Sequence, residues 1–395
     1  MKKTLAAVAV LGAFAGSALA ADVQLYGIVD MGLNYTHIDG DGVIEDTDSF
    51  SMESGQQSGS RWGLKGTEDL GNGLTVGFVL EDGFSADTGS EGTNPMFDRE
   101  SMLFLQGGFG KVAFGRIGSF NQGQGSFSKI GMLTPFGTSF GDYAAQAGNV
   151  FASSTRYDNS IVYETPNFAG FQVTAMYSMG NTGDDGVENE SSSERYYGIA
   201  ATYKNGPAAA YLAIDSTNYK SWGETHGSDM EDAMTVTLGG SWDFEVVKVY
   251  LGGQYFDEAK ASCLGGIIDN NSATLIKAEA DKKITAYTTA DLKLTGYSLT
   301  LGADAPLFGG KLMGAVAYMD AEQSDFQEDY GRAVKEFDFT RWLISAGYDY
   351  PLSKRTNIYA VASYMDDEIE GTGANKGADW NPSAYTFMIG MRHKF

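Results

Sequence analysis

The 395-residue chain has a single cysteine, Cys263, so neither an intramolecular disulfide framework nor a thiolate metal cluster can form. Basic residues are scarce. Against 27 Lys and Arg stand 51 Asp and Glu, a net charge of −24 that repels phosphate backbones and excludes non-specific nucleic-acid binding. Histidine, the usual general base at neutral pH, occurs only at 37, 226 and 393, and none of His37, His226 and His393 has an evident nucleophile partner. Gly110-Lys111-Val112 lacks the hydroxyl residue of a Walker loop, and no dinucleotide fingerprint sits between a strand and a helix. Catalysis, a cofactor and a bound metal are therefore not expected. Beyond residue 20 no stretch approaches the ~20 consecutive apolar residues of a spanning helix. What is present is a 43% hydrophobic chain with 52 glycines and only 7 prolines, too apolar to stay disordered.

The first twenty residues read as an address. Lys2 and Lys3 form a basic start, Leu5 to Gly16 a short apolar stretch, and Ala18-Leu19-Ala20 a cleavage-type site. Cleavage after Ala20 would start the mature chain at Ala21 and leave a single domain, 21–395, carrying 25 basic against 51 acidic residues. The mature chain is then either exported and soluble or crosses a membrane as strands.

Period-two alternation dominates the remainder. Val23, Leu25, Val29, Met31, Leu33 and Tyr35 share one face of the first segment, with Gln24, Asp30 and Asn34 on the other. Leu74, Val76, Phe78 and Leu80 repeat the pattern, as do Phe171, Val173, Ala175 and Tyr177, and finally Tyr385, Phe387, Ile389, Met391 and Phe395. Counting such segments predicts about sixteen strands, long enough to cross a bilayer when tilted. Connections alternate in length too. Short turns such as Leu70-Gly71-Asn72-Gly73 and Asn205-Gly206-Pro207 separate long polar segments, approximately Thr36–Ser60, Asp82–Asp98, Gly118–Ser154, Met179–Ser193, Thr217–Asp232, Asp257–Thr295, Asp320–Phe339 and Asp366–Ser383. An up-and-down antiparallel transmembrane β-barrel has this layout, with short turns on the periplasmic side and long loops outside. A soluble β-sandwich also alternates. It does not explain why Tyr35, Trp62, Tyr163, Tyr177, Tyr203, Trp242 and Tyr348 gather near strand ends, where lipid interfaces favour them.

Four passages resemble the Gram-negative general porins of β-proteobacterial type. Val23-Gln24-Leu25-Tyr26-Gly27-Ile28-Val29-Asp30 is similar to that family's first strand, and the stretch from Ser58-Gly59-Ser60-Arg61-Trp62-Gly63 to Gly71 to its second strand and turn. Arg156 to Phe168 resembles the sixth strand, and Gly390-Met391-Arg392-His393-Lys394-Phe395 the closing strand. Loops four to seven carry little of the likeness. The resemblance implies a homotrimeric water-filled channel in the outer membrane, among lipid and lipopolysaccharide, passing small hydrophilic solutes and ions. It also implies a third loop folded inward as a constriction, and a terminal Phe395 that closes the barrel and is read by the barrel-assembly machinery.

The residues permit an inward third loop independently. Gly118–Ser154 holds only Lys129 and Asp142 as charges but carries Phe120, Phe127, Pro135, Phe136, Phe140, Tyr143 and Phe151, as a packed segment would. An exterior loop should look like Thr36–Ser60, acidic at Asp39, Asp41, Glu45, Asp46, Asp48 and Glu53 with no lysine or arginine. Those acids read as a solvated loop, since the other ligands of a calcium loop are missing.

Arg61 and Lys65 alternate with Trp62 and Leu64, so if the latter face lipid the cations face the lumen; a lipid-facing Arg or Lys at mid-membrane costs ~2–4 kcal/mol. Parity also sends Arg156 inward with Asp158 and Ser160, opposite Tyr157, Ile161 and Tyr163. Arg116 shares parity with Val112 and Phe114 and needs a bulge to reach water. By the resemblance, Arg61, Arg116 and Arg156, with Arg99 as a further candidate, form a basic wall facing an acidic third loop, here reduced to Asp142. Such cations either bias ions through a transverse field or tether the loop through its carbonyls; one residue can do both. The expectation is weak anion preference at physiological salt, drifting toward cations in dilute salt. Two other readings share the barrel. A substrate-specific channel would exploit loop insertions such as Asp257–Thr295, with its helix-compatible Leu275–Lys283 and an incidental Cys263 thiol. A surface adhesin would use the acidic loops and need no conductance.

Overall fold

A computed structural model describes residues 23–42, 45–91, 95–123, 125–153, 155–180, 194–219, 231–260, 266, 293–323, 336–372 and 379–395. The signal-type segment 1–20, His226, Cys263 and Leu275–Lys283 lie outside the described residues.

The alternating segments become β1 (Gln24–Asp39), β2 (Thr47–Ser54), β3 (Arg61–Gly71), β4 (Leu74–Ser85), β5 (Ser90–Glu91), β6 (Glu100–Gly107), β7 (Gly110–Gly118), β8 (Arg156–Glu164) and β9 (Phe171–Ser178). The second half supplies β10 (Arg195–Asn205), β11 (Ala208–Asn218), β12 (Ala233–Asp243), β13 (Lys248–Lys260), β14 (Lys293–Leu307), β15 (Gly310–Gln323), β16 (Glu336–Pro351), β17 (Thr356–Thr372) and β18 (Ser383–Lys394). Each pairs antiparallel with its neighbour, and β18 returns to β1 in a ladder from Ile28↔Lys394 to Asp39↔Ser383. The sheet closes. Both β2 and β3 lie along β1, so they are two halves of one stave, and β5 is a two-residue excursion against β4. The barrel therefore has sixteen staves.

Closure removes every sheet edge, and the outer face is apolar. Leu238, Leu251, Leu299, Leu301, Ile344 and Ile389 are each at least half exposed, far more continuous apolar surface than a soluble monomer presents to water. Among the described residues no helix is long and apolar enough to cross a membrane; the strands cross it. Aromatic side chains ring that face, among them Tyr203, Trp242 and Phe308 towards the short turns and Tyr255, Tyr297 and Trp342 towards the other end.

The strands outrun the sequence-based segments. Thr36–Asp39, Thr47–Ser54, Asp320–Gln323, Glu336–Phe339 and Asp366–Thr372 are strand rather than loop. Past the hydrocarbon both faces of a strand meet water, so a polar sequence no longer signals its end. At the closing seam, the backbone N–H of Phe395 donates to Gly27 O at 3.1 Å and Gly27 N–H to Phe395 O at 3.3 Å. A Cβ at Gly27 would lie 2.3 Å from the Phe395 ring, so only glycine leaves it that niche.

Candidate functional site: the charged lumen and its inner segment

Residues 119–123 and 125–153, between β7 and β8, leave the wall, their root tied by Ser119 N–H to Thr155 O at 3.2 Å. Phe120, Phe127, Pro135, Phe136, Phe140, Tyr143 and Phe151 are all buried. Their partners lie on the inner faces of many staves. Asn121 Nδ2 donates to Asp215 on β11 and Thr235 on β12, each at 3.1 Å, and Tyr211 OH donates to Phe120 O. Ala145 N–H donates to Ser345 Oγ on β16, and Phe140 N–H to Gln56 O in the break between β2 and β3. Inward glycines make the room. A Cβ at Gly302 on β14 would sit 2.4 Å from Pro135 Cδ, and one at Gly252 on β13 would sit 3.0 Å from both Leu133 and Phe151. The segment therefore lies across the barrel interior, carrying a single 3-10 turn (Ile130–Leu133) and one short helix, α1 (Ala147–Val150).

The far end of this segment is held by an ion pair that alternation does not reveal. Arg341 on β16 and Asp367 on β17 are 1% and 0% exposed and pair through two parallel bonds of 2.7 and 2.8 Å. The remaining Nη1 donates to Asn149 O at 3.2 Å. A guanidinium satisfied on three sides tolerates burial, and it fixes the chain that it touches.

Arg61 and Lys65 share the inward face of β3 with Tyr26 and Glu81, as the registers Gln24↔Lys65, Tyr26↔Gly63 and Gly63↔Glu81 require. Arg61 Nε lies 3.3 Å from Glu81 Oε2 and Arg99 Nε 2.9 Å from Oε1, so two arginines divide one carboxylate. Tyr26 OH donates to the same carboxylate at 3.1 Å, and Lys65 Nζ stands 5.0 Å over the Tyr26 ring. Arg61, Lys65 and Arg99 line a cavity of about 430 Å³ whose opposite side is the inner segment, at Gly123, Gly125, Ser126, Thr138 and Ser139. Glu100 anchors that side by accepting from Ser126 N–H at 3.0 Å and Ser126 Oγ at 2.8 Å.

Arg116 and Arg156 follow a different geometry. Between Gly115↔Ser160 and Ile117↔Tyr157 the ladder slips, leaving Arg116 alone opposite Asp158 and Asn159. Gly115 at φ +138° and Asn159 at φ +52° absorb this bulge. It breaks the parity that placed Tyr157 on the lipid face: Tyr157 is buried inside, stacked 4.6 Å from Tyr196 and sharing a 2.8 Å hydrogen bond with Thr217. Arg116 Nη1 donates to Asp158 Oδ1 and its Nε to Asp98 O at 2.7 Å. Arg156, half-buried, lies within electrostatic reach of Arg99, Asp98 and Arg116. Neither Arg116 nor Arg156 lines the cavity shared by Arg61 and Arg99.

On the inner segment Lys129 Nζ donates to Ser126 O at 2.9 Å, and Asp142 is exposed. On the wall itself, Glu81 pairs with Arg61 and Arg99, and Asp158 pairs with Arg116. Asp39, Asp41 and Asp46 spend oxygens on backbone N–H groups of Asp41, Asn381 and Gly40, and no group of metal-ligating residues occurs among the described residues.

Residues 6–370 match the family described as Gram-negative porin. The whole chain aligns with the whole of an outer membrane porin protein of Bordetella pertussis at 34% identity and with outer membrane porin protein 32 of Delftia acidovorans at 30%. Among solved structures, an anion-selective porin from Comamonas acidovorans superposes with a TM-score of 0.65 at 26% identity, covering 95% of this chain and 100% of that one. With a closed sixteen-stave barrel, an apolar girdle outside and charge inside, the chain belongs to the Gram-negative porin family of the outer membrane.

Proposed function

We propose that the protein is a general-diffusion porin in which residues 119–153 narrow the lumen and Arg61, Lys65, Arg99, Arg116 and Arg156 charge the facing wall, with Lys129 and Asp142 on the loop side. One observation carries this reading: the cavity of about 430 Å³ is bounded by three of those cations on one side and by the buried, multiply tethered inner segment on the other. Transport is passive and performs no chemistry. The five wall cations sit among four carboxylates, Glu81, Asp98, Glu100 and Asp158. A small positive surplus supports a weak anion preference, and the similar porin from Comamonas acidovorans is anion-selective.

At ~0.15 M salt the Debye length is ~8 Å, so the acidic outer segments are screened from this region; in dilute salt they pull the preference toward cations. Homotrimeric assembly among lipid and lipopolysaccharide, export with cleavage after Ala20, and Phe395 as the assembly signal belong to the same reading. Planar-bilayer recording of the purified oligomer, with liposome swelling in sugars of graded size, tests it. Steady open conductance and a size cut-off are expected. Block by one solute at low concentration supports a substrate-specific channel instead, and silence supports an adhesin.

A further inference from the structure

The four wall arginines face four carboxylates, so the positive surplus behind an anion preference must be sought at Lys65 and the cations on its side of the pore. We propose that Lys65 on β3 with Arg392 and Lys394 on β18 form a basic band, running from the cavity's edge at Lys65 toward the short-turn mouth, that draws small anions such as chloride, phosphate and carboxylates into the pore. The proposal rests on the porin reading above and names where its selectivity originates.

Register places the band. Lys394 pairs with Ile28, which pairs with Arg61; Arg392 pairs with Asp30, and Lys65 with Gln24. All seven therefore share one face of the sheet. That face is the interior: Asp30 is fully buried, Arg392 Nη1 donates to Ser58 Oγ at 2.9 Å, and Ser58 lines the cavity with Arg61 and Lys65. Lys65 and Lys394 are nevertheless solvent-exposed, so the water they meet is lumen water. Four residues separate Arg61 from Lys65, about 13 Å along the strand toward the β3–β4 turn. Lys394 N–H donates to Arg355 O at the short connection between β16 and β17, which puts it at the same mouth.

Two carboxylates, Asp349 and Asp30, stand near the band, and neither is in salt-bridge contact with it. Among the described residues no salt bridge joins Lys65, Arg392 or Lys394 to a carboxylate. Asp349 faces Lys394 from β16, but its oxygens accept from Gln57 Nε2 at 2.6 Å and Asn357 Nδ2 at 2.9 Å. Asp30 accepts from Gln57 N–H, Ser58 N–H and Tyr359 OH and is walled off from the lumen. Arg392 is bound to Ser58 and Asn357, which leaves Lys65 and Lys394 as the ammonium groups free to meet a passing ion. Acidic loops at one mouth and a basic band at the other make the pore electrically asymmetric along its axis.

The test uses the assembled full-length protein in planar bilayers under a KCl gradient, with the dilute side placed in turn at each mouth. Lys394→Gln is expected to lower the chloride-to-potassium permeability ratio about twofold and Lys394→Glu about fourfold, the scale of one and two unit charges felt across a Debye length with opposite sign by anion and cation. The shift should be larger when dilute salt faces the short turns. Lys65→Glu, away from the terminal strand, should act in the same direction and serves as the test if Lys394 variants do not assemble. A purely structural role for Lys394 would change yield but not the reversal potential of the channels that form. An anion-preferring wild type whose ratio is unchanged in Lys394→Glu and Lys65→Glu overturns the band and leaves the porin reading intact; a silent wild type overturns both.

Discussion

Glu81 offers the sharpest perturbation of the charged wall. Its carboxylate is 17% exposed and is shared by Arg99 at 2.9 Å and Arg61 at 3.3 Å. Glu81→Gln keeps the shape and one acceptor oxygen but removes a unit of negative charge from the side of the cavity. At ~8 Å in bulk water one charge is worth about 0.5 kcal/mol, and salt at ~0.15 M reduces that to ~0.2. Anions gain this amount and cations lose it, so the difference is ~0.4 kcal/mol, roughly a twofold rise in the anion-to-cation permeability ratio. Low-dielectric walls push it upward; halving the effective dielectric constant gives about fourfold. Reversal potentials of reconstituted channels under a KCl gradient measure the ratio, and Arg61→Gln should shift it oppositely. A ratio that stays unchanged or falls in Glu81→Gln, with channels normally assembled, would refute the placement of this cluster beside the ion path.

Other perturbations have equally definite outcomes. Arg341→Ala leaves Asp367 buried and unpaired, so the barrel should lose roughly 3–5 kcal/mol in urea unfolding, while the joint change to Met and Leu at 341 and 367 should recover most of it. Single-channel current of the joint variant should be noisier, because Asn149 O loses its donor. Gly27→Val pushes a Cβ against the Phe395 ring and Arg61 O, and gel mobility with and without heating should show less folded barrel. Gly115→Ala should likewise reduce the folded fraction, since its Cβ would fall 1.9 Å from Ser101 O at φ +138°. The anion preference should weaken as salt is diluted at the loop side, checked by reversal potentials at two ionic strengths.

Alternation made the barrel legible because lipid and water impose opposite demands on successive side chains, and Arg61 and Lys65 obey it. It failed where the ladder slips. The parity of Arg116 calls for a bulge here, but apart from an asparagine and the glycine at 115, both tolerant of positive φ, nothing in Arg156-Tyr157-Asp158-Asn159 shows that it turns Tyr157 inward. The inner segment is marked by many aromatics and only two charges, Lys129 and Asp142, yet its anchors are not marked. Arg341 and Asp367 are ordinary strand charges until the register β16–β17 sets them side by side. Glu81 sits twenty residues beyond Arg61, and only pairing across β3 and β4 makes it the arginines' counter-charge. The outer ends of strands look like loops in the sequence because polarity there reflects water on both faces, not a change of backbone.

The central claim is that one face of each strand meets lipid and the other meets the ion path. Single-channel recording in a Cys263→Ser background, during addition of a charged methanethiosulfonate reagent, tests it at adjacent residues. Lys65→Cys should show a stepwise change in current as it reacts, and Leu64→Cys, one residue away on the outer face, should show none. Reaction at Leu64→Cys that alters the current while Lys65→Cys stays silent would contradict the account.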